Sequence, residues 1–339
     1  MTQPVPVAVF GAGHMGRHHA RIYSELPESR LVAVIDPDLD RAKAMCDQHG
    51  GQPATSIDDI TEEIQAASVA VPTVLHADVG IPLMERGIHI LVEKPLAQDV
   101  TTAKQLLEAS RRFDRVLQVG HSERFNPVVQ AMLRLEVTPQ FIEADRISPF
   151  TFRSADVGVV FDMMIHDIDI VLHLVRDRDY TVDAVGVSVL GDCEDVANAR
   201  IRFSSGTVVN LTASRLALKT ERKIRLFSPS SYITMDYQKK SGIAIKLDDN
   251  LDLLNMARER NFEDLSQMAH LDYGSMVKIE PLQVTDIEPL RAELSSFLKS
   301  VAFGEEVAVS ADEGVAAVDL AERITRQVRE QNWVVENKS

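Results

Sequence analysis

Residues 7–23, VAVFGAGHMGRHHARIY, join an apolar run to a helix-like segment through three glycines. The spacing fits a turn that holds a dinucleotide phosphate. Gly11 allows the sharp reversal, Gly13 lets the backbone approach a pyrophosphate, and Gly16 lets the helix pack on the strand. The helix N-terminus supplies unpaired N–H donors to the anion. The stretch therefore predicts a dinucleotide-binding unit, against the alternative of a glycine turn that only joins a strand to a helix.

A second apolar run, LVAVID at residues 31–36, ends in an acid twenty residues beyond Gly16. The carboxylate of Asp36 can accept hydrogen bonds from both ribose hydroxyls of an adenosine and would repel a 2′-phosphate. The sequence therefore favours NAD over NADP as the cofactor.

Composition narrows the class of protein. The 339 residues are 45% hydrophobic and 26% charged, as in a soluble globular protein, and they suffice for two domains. The net charge of −15 disfavours nucleic acid and anionic membranes as partners. The only cysteines are Cys46 and Cys193, which favours a reducing cytoplasm, and no apolar run reaches the roughly 18 residues of a membrane span. We expect a cytoplasmic enzyme with a small-molecule substrate.

Two patterns of apolar residues divide the chain. From residue 5 to about 120, short apolar runs (VPVAVF, LVAVID, ASVAVP, HILVEKP and RVLQVGH) alternate with amphipathic segments, which predicts a doubly wound parallel sheet, or Rossmann domain, over residues 1–122. Residues 196–247 show strands that alternate without crossover helices, so residues 123–339 are predicted to be an α+β domain with a largely antiparallel open sheet. The fold class is α/β.

Two helices are predicted near the C-terminus, within 288–304 and from 311 onward. The second opens with Ser310 and Glu313 in the spacing of a capping box. These helices are able to pack back on the first domain. The polar segment 249–275 is interpreted as an insertion, loop or contact arm.

The motif VEKPLA places Glu93, Lys94 and Pro95 at the carboxyl end of a strand, where open parallel sheets bind ligands. Pro95 keeps Lys94 out of the helical region and can adopt a cis peptide. The motif is interpreted as a functional lysine beside the cofactor. The alternative is a strand that ends in a solvated lysine.

The apolar segment FDMMIHDIDIVLHLV, residues 161–175, carries Asp162, His166 and Asp169 at helical spacing i, i+4 and i+7. A neutral imidazole held by a carboxylate is a suitable general base near neutral pH. His173 extends the same face and is interpreted as a core histidine. A buried polar pair without a chemical role is the alternative for Asp162 and His166, and no metal is predicted.

Further candidates lie beside these motifs. His14, Met15, His18 and His19 crowd the glycine turn and are expected to line the cofactor pocket or cap the helix. In AVPTVLHADV, the residues expected to border the nicotinamide ring are Val71, Pro72, Thr73 and His76, although Thr73 as a helix cap is an equal alternative.

GHSERFNP, residues 120–127, lies where the first domain hands over to the second. Clefts of this kind often bind substrates, so Ser122, Arg124 and Asn126 are candidates for substrate binding. Arg124 either holds a substrate phosphate or ties the domains together by a salt bridge.

Together, GAGHMGRHH, Asp36, AVPTVLHA, VEKPLA, GHSERFNP and DMMIHDID resemble the glucose-fructose oxidoreductase, inositol dehydrogenase and MocA family of nicotinamide-dependent sugar and polyol oxidoreductases, over almost the whole chain. The family pattern DxGxHxxD falls on Asp162, His166 and Asp169, with Met164 in place of the usual glycine. The resemblance implies that His166 is the acid/base, that Lys94 orients the substrate hydroxyl and assists proton transfer, and that Asp162 holds the substrate or the histidine.

The resemblance also implies a homodimer or homotetramer formed through the second sheet. Within the family, GHSERFNP and DVGVVFDMMIHDIDIVLHLV look like the UDP-N-acetylglucosamine 3-dehydrogenases, which supply a 3-oxo sugar to an aminotransferase in lipid A precursor synthesis. The implied reaction moves a hydride from C3 of the sugar to NAD. The same chemistry on inositol or another free polyol, and a non-catalytic sensor of NAD or sugar, are the alternatives.

Overall fold

A computed structural model describes residues 3–151, 157–229, 231–247 and 277–331. The chain opens with a six-stranded parallel sheet in the order β3-β2-β1-β4-β5-β6. Its strands are β1 (Val5–Phe10), β2 (Ser29–Ile35), β3 (Gln52–Ala54), β4 (Ala66–Val69), β5 (His89–Glu93) and β6 (Leu117–Gly120). The predicted doubly wound sheet is confirmed. The sequence missed β3, a three-residue edge strand.

Helices connect the strands of this sheet. They are α1 (His14–Glu25), α2 (Leu39–His49), α3 (His76–Glu85) and α4 (Val100–Arg112). The helices α2 and α4 begin where the carboxylates of Asp38 and Asp99 accept main-chain N–H groups of the first turn. Because strand order reverses between β1 and β4, the carboxyl ends of these two strands bound the crevice where such sheets bind ligands.

The second sheet has eight described strands in the order β14-β13-β12-β11-β7-β10-β9-β8. They are β7 (Phe141–Ile147), β8 (Tyr180–Val187), β9 (Val196–Phe203), β10 (Val208–Ser214), β11 (Glu221–Phe227), β12 (Ser231–Asp236), β13 (Ser241–Leu247) and β14 (Val277–Pro281). Only β7 and β10 pair in parallel. The largely antiparallel sheet is confirmed. The predicted arm at 249–275 lies outside the described residues.

Helices cover one face of the second sheet. They are α5 (Pro127–Leu133), α6 (Ile165–Val175), which follows directly on a π-helical turn at Val160–Met164, and α8 (Ala311–Glu330). The predicted capping box is present, since Ser310 and Glu313 exchange hydrogen bonds at the start of α8. The helix α7 (Pro289–Phe303) packs against β1 and α1, and α8 contributes to the cores beside both sheets. In the described ranges, no helix is long and apolar enough to cross a membrane.

The glycine turn has the geometry that its sequence predicts. Gly11 has a φ of +97°, and a Cβ there would lie 2.6 Å from the Ala70 oxygen. A Cβ on Gly16 would lie 1.7 Å from the oxygen of Gly11, so only glycine lets α1 pack this closely on the turn. A Cβ on Gly13 would meet nothing within 4 Å, which leaves the backbone at that point open to a ligand.

Gly16→Ala is expected to lower the free energy of unfolding by about 1–3 kcal/mol or more, because the new methyl group must displace backbone rather than a flexible side chain. Urea denaturation measures the change. Gly191→Ala is the control, since a Cβ there would meet nothing within 4 Å. Equal stability of the two variants would contradict the close packing described for the turn.

Candidate active site

A cavity of about 320 Å³ lies where the carboxyl ends of the first sheet meet α6. Most of its lining residues are ones that the sequence analysis placed beside the cofactor or the substrate. The lining residues are Met15, Ala70, Val71, Pro72, Thr73, His76, Glu93, Lys94, Gly120, Ser122 and His166. The lysine at the end of β5 and the histidine at the start of α6 therefore share one cavity.

Lys94 reaches from the first sheet to the turn before α6. Its Nζ donates to the main-chain oxygen of Asp162 at 2.7 Å and lies 3.6 Å from the carboxylate of the same residue. The Lys94–Pro95 peptide is cis. Burial lowers the pKa of Lys94, and this effect outweighs the opposing charges of Asp162 and Glu93. Lys94 is thus held in place, and its charged form is only weakly hydrated.

His166 presents its ring to the cavity, while its Nδ1 atom is buried. Burial holds the pKa of His166 well below its usual value, and the positive charges of Lys94 and Arg146 lower it further. The imidazole is consequently neutral near pH 7 and has a nitrogen free to accept a proton. Asp162 lies beside Lys94, and in the described part of the chain no hydrogen bond joins it to His166.

The helical stripe predicted for Asp162, His166 and Asp169 does not converge on a single site. Asp169 is buried and makes two hydrogen bonds with Arg124, at 2.7 and 2.8 Å. Arg124 also contacts Glu313 at 2.9 Å and His173 at 2.7 Å. Of the two roles proposed for Arg124, the structure shows the salt bridge that ties parts of the chain together.

Ser122 and Asn126, the other candidates in GHSERFNP, separate in the structure. Ser122 lines the cavity. Asn126 is buried, accepts a hydrogen bond from the N–H of Val128 at the start of α5, and donates to the oxygen of Tyr237. The structure brings Ser122 to the cavity but gives Asn126 the role of a helix cap.

A buried polar network supports Glu93. One ring nitrogen of His19 is 2.8 Å from Glu93 and the other is 2.8 Å from Ser68, which also bonds to Tyr23. Burial would raise the pKa of Glu93, but the hydrogen bond and charge of His19, together with Lys94, bring it below its ordinary value. His19 therefore lies behind the cavity wall, on the inward face of α1, and neither lines the cavity nor caps the helix.

Glu293 of α7 lies behind this network. Its side chain is fully buried, and neither carboxyl oxygen has a hydrogen-bond partner among the residues that the structure describes. Burial raises the pKa of Glu293 well above its usual value, and the charges of Glu93 and Asp169 add to the effect. The neutral carboxylic acid form of Glu293 is therefore favoured over the carboxylate.

The cofactor side of the site is built around Asp36. Its carboxylate accepts the N–H of Ala12 at 2.6 Å and the N–H of Asp38 at 2.9 Å, so it fixes the glycine turn. A carboxylate has about four lone-pair sites, which leaves acceptors for ribose hydroxyls. Together with the open backbone at Gly13, these residues fit an NAD molecule that lies across the turn with its nicotinamide toward the cavity.

Neighbouring histidines serve different purposes. His76 lines the cavity, and its two ring nitrogens lie 3.1 and 3.2 Å from the main-chain oxygens of Val71 and Leu96. It therefore joins the loops after β4 and β5. His14 stacks edge-on against His18 with ring centroids 4.8 Å apart, beside the glycine turn.

Helix α3 begins without a side-chain cap, so Thr73 does not cap it.

Sequence reasoning missed Arg146, which lies on β7. Its guanidinium makes two hydrogen bonds to Asp167 and one to Glu123 and packs 5.4 Å from the centre of the Tyr237 ring. Its charge contributes to the low pKa of His166. No local pattern identifies it, because its partners lie 21 and 23 residues away in sequence.

A wider cleft of about 880 Å³ adjoins the cavity. Thr73 and Lys94 line both spaces, and Asp162 lines the cleft. The far side of the cleft is formed by α8, which contributes Arg326 and Arg329. A substrate held at Lys94 would therefore have space for a large substituent.

Comparison with known proteins gives matches to two family models. The model of an oxidoreductase family with an NAD-binding Rossmann fold matches residues 5–121. The model of the C-terminal domain of the glucose-fructose oxidoreductase, inositol dehydrogenase and MocA proteins matches residues 132–228.

Individual relatives agree with these models. The chain is 35% identical over 230 residues to a UDP-N-acetylglucosamine 3-dehydrogenase of Acidithiobacillus ferrooxidans, covering 68% of this chain and 73% of the relative. The solved structure of that enzyme superimposes with a TM-score of 0.84 at 28% identity, over 96% of this chain and 98% of the other. An inositol 2-dehydrogenase of Rhizobium meliloti is 24% identical over 97% of this chain and 98% of its own.

Arg124→Ala is expected to lower the free energy of unfolding by about 3–5 kcal/mol, because it leaves the Asp169 carboxylate buried without its partner. Chemical denaturation measures the change. Arg111→Ala is the matched control, since its ion pair with Asp312 likewise joins two separate elements, here α4 and α8, but is exposed and should contribute little. An Arg124→Ala protein of unchanged stability and weakened substrate binding would contradict the structural role.

Glu293→Gln is expected to stabilise the protein at pH 8 but not at pH 4. A carboxyl group whose pKa is raised in the folded state costs stability as pH rises above its unfolded pKa, and glutamine does not ionise. Urea titrations at a series of pH values measure this difference, with Glu305→Gln on the exposed loop after α7 as the control. A stability difference that does not change with pH would contradict the raised pKa of Glu293.

Proposed function

The chain belongs to the oxidoreductase family of glucose-fructose oxidoreductase, inositol dehydrogenase and MocA, and on that premise we propose that it oxidises C3 of UDP-N-acetylglucosamine to a 3-oxo sugar with NAD. The observation that carries the proposal is the shared cavity of Lys94 and His166 beside the glycine turn. The relative that is 35% identical is named as a UDP-N-acetylglucosamine 3-dehydrogenase, and this supports the choice of substrate.

His166 is the proposed general base. Oxidation of a secondary alcohol removes a hydride from carbon and a proton from oxygen. Bound NAD supplies the acceptor for the hydride. The low pKa of His166 keeps its imidazole neutral and able to take the hydroxyl proton.

Lys94 acts on the same hydroxyl group, with Asp162 beside it. The ammonium of Lys94, anchored on the main-chain oxygen of Asp162, can orient the hydroxyl oxygen and stabilise negative charge that develops on it. The Asp162 carboxylate limits the loss of positive charge on Lys94, because it opposes the effect of burial on the pKa of that lysine. Asp162 therefore acts chiefly through Lys94, and it borders the space that a substrate would occupy.

The cofactor would be held by the glycine turn and by the loop after β4. Gly13 leaves room for the pyrophosphate, and Asp36 would accept the ribose hydroxyls, which favours NAD over NADP. The residues proposed to contact NAD are Gly11, Gly13, His14, Met15, Gly16, Asp36, Val71, Pro72, Thr73, His76, Glu93 and Lys94.

The wide cleft supports a nucleotide sugar over a free polyol. Beyond Lys94 it offers about 880 Å³, far more than a monosaccharide ring needs, and its polar lining includes Arg326 and Arg329 together with carboxylates such as Glu322 and Glu330. A free inositol would leave most of this cleft unfilled. Ser122 is the remaining candidate for a contact with the sugar.

The wider biological setting is part of the same proposal. The 3-oxo product would pass to an aminotransferase in the synthesis of a lipid A precursor, in the cytoplasm. Alternate residues of β9 and β10 face away from the covering helices, among them Asn198, Arg200 and Asn210, and form the open sheet face through which a homodimer or homotetramer would assemble.

The proposal predicts that the purified protein reduces NAD when given UDP-N-acetylglucosamine, followed by the absorbance of NADH, and that NADP is a poorer acceptor. His166→Ala should lower kcat by about 10²–10⁴-fold, and Lys94→Ala by at least about 100-fold, because each removes a group acting in the transition state. Both variants should still bind NADH in a fluorescence titration.

The controls are His49→Ala on α2 and the exposed Lys104→Ala on α4, which should keep full activity. Turnover that survives in Lys94→Ala or His166→Ala would refute the assigned roles. Oxidation of inositols without oxidation of nucleotide sugars would refute the substrate while leaving the oxidoreductase chemistry in place.

A further inference from the structure

A second histidine lies directly behind the proposed base. His121 follows the last residue of β6 and is 1% exposed. Neither of its ring nitrogens has a hydrogen-bond partner among the residues that the structure describes. A buried polar group without a partner costs free energy, so two such atoms on one ring need an explanation.

His166 likewise has a buried ring nitrogen without a hydrogen-bond partner in the described part of the chain. Its Nδ1 is enclosed and lacks a partner within the described ranges, although the ring itself borders the cavity. The rings of His121 and His166 stand edge to face, with centroids 6.4 Å apart and planes at 86°. Three unpartnered nitrogens thus belong to two neighbouring imidazoles.

The separation of the rings decides how these nitrogens can interact. A ring nitrogen lies little more than 1 Å from its centroid, so centroids 6.4 Å apart exclude a direct N–H···N bond of about 3 Å. One water molecule with two hydrogen bonds of about 2.8 Å spans such a gap. Buried waters commonly satisfy paired polar groups of this kind.

We propose that His121 is a positioning residue for His166. The Nδ1–H of His166 donates to one internal water, and that water donates to a nitrogen of His121. This arrangement fixes the tautomer in which Nε2 of His166 is unprotonated and available to the substrate hydroxyl. The inference rests on the proposed function in one respect, namely that His166 is the base.

The charged groups around the two rings act on both pKa values. Lys94, Arg146, Arg222 and a charge on His121 itself lower the pKa of His166, so His121 can support protonated His166 only as a neutral acceptor. Around His121, Asp169 and Glu93 raise the pKa, whereas Arg124 and Lys94 lower it. Burial lowers the pKa of His121, so that ring stays neutral and keeps an acceptor nitrogen. An acceptor on the buried side stabilises the imidazolium that His166 becomes, which matters because its other neighbours are mostly cationic.

His121→Phe tests the proposal, since phenylalanine keeps an aromatic ring against His166 but has no nitrogen. We expect kcat to fall at least about tenfold while the KM values for NAD and the sugar change less than about twofold. The acid limb of kcat/KM should move to lower pH, because protonated His166 loses its acceptor. His121→Gln, which returns an acceptor oxygen, should recover part of the loss, and His49→Phe is the control.

Nitrogen NMR of the protein labelled with ¹⁵N-histidine reads the tautomer of His166 without any substrate. The wild type should carry its proton on Nδ1, and His121→Phe should show more of the Nε2–H form and a lower pKa for His166. A wild-type His166 protonated on Nε2, or identical tautomer and pKa in wild type and His121→Phe, would overturn the proposal. If no sugar is oxidised but the NMR difference appears, the proposed function fails and the positioning role stands.

Discussion

The hydrogen bond from Nζ of Lys94 to the main-chain oxygen of Asp162 joins the two halves of the chain at the point where chemistry is proposed. Lys94 stands at the carboxyl end of β5, whereas Asp162 lies in the π-helical turn before α6. The cavity thus has the end of the first sheet on one side and α6 on the other. The wider π turn sets the orientation of His166 relative to the lysine, and such turns often occur at functional sites.

Burial shifts the pKa values of the two side chains at this junction. Loss of hydration lowers the pKa of both Lys94 and His166, and the charge of Lys94 lowers the pKa of His166 further. The site therefore holds one positive charge to attract an alkoxide and one neutral imidazole to take its proton. Behind it, the ion pairs of Arg124 with Asp169 and of Arg146 with Asp167 hold α6 in place, because each pairs a residue of that helix with an arginine from another element.

Some of this arrangement was predictable because its causes are local in sequence. The glycine turn follows from spacing and from clashes within a few residues of Gly11 and Gly16, and the strands of the first sheet show as continuous apolar runs. The edge strand Gln52–Ala54 is too short to show a pattern. In FIEADRI of β7, the outward-facing charges conceal a strand whose alternate residues are buried.

Other features were not predictable because their causes are distant pairings. The helical spacing predicted that Asp169 lies beside His166. In the structure Asp169 instead binds Arg124, which is 45 residues away from it in sequence. His19 appeared to belong to the cofactor turn until α1 placed it against Ser68 and Glu93. His121 shows no sequence signal beyond its place after an apolar strand, and only the fold reveals that it lies behind the proposed base.

A crystal structure of the protein with NADH and UDP-N-acetylglucosamine would test the convergence of Lys94 and His166 most directly. The account predicts the nicotinamide in the cavity beside Lys94, with the C3 hydroxyl of the sugar within hydrogen-bond distance of both Nζ of Lys94 and Nε2 of His166. A sugar bound elsewhere, or a hydroxyl out of reach of both side chains, would contradict it.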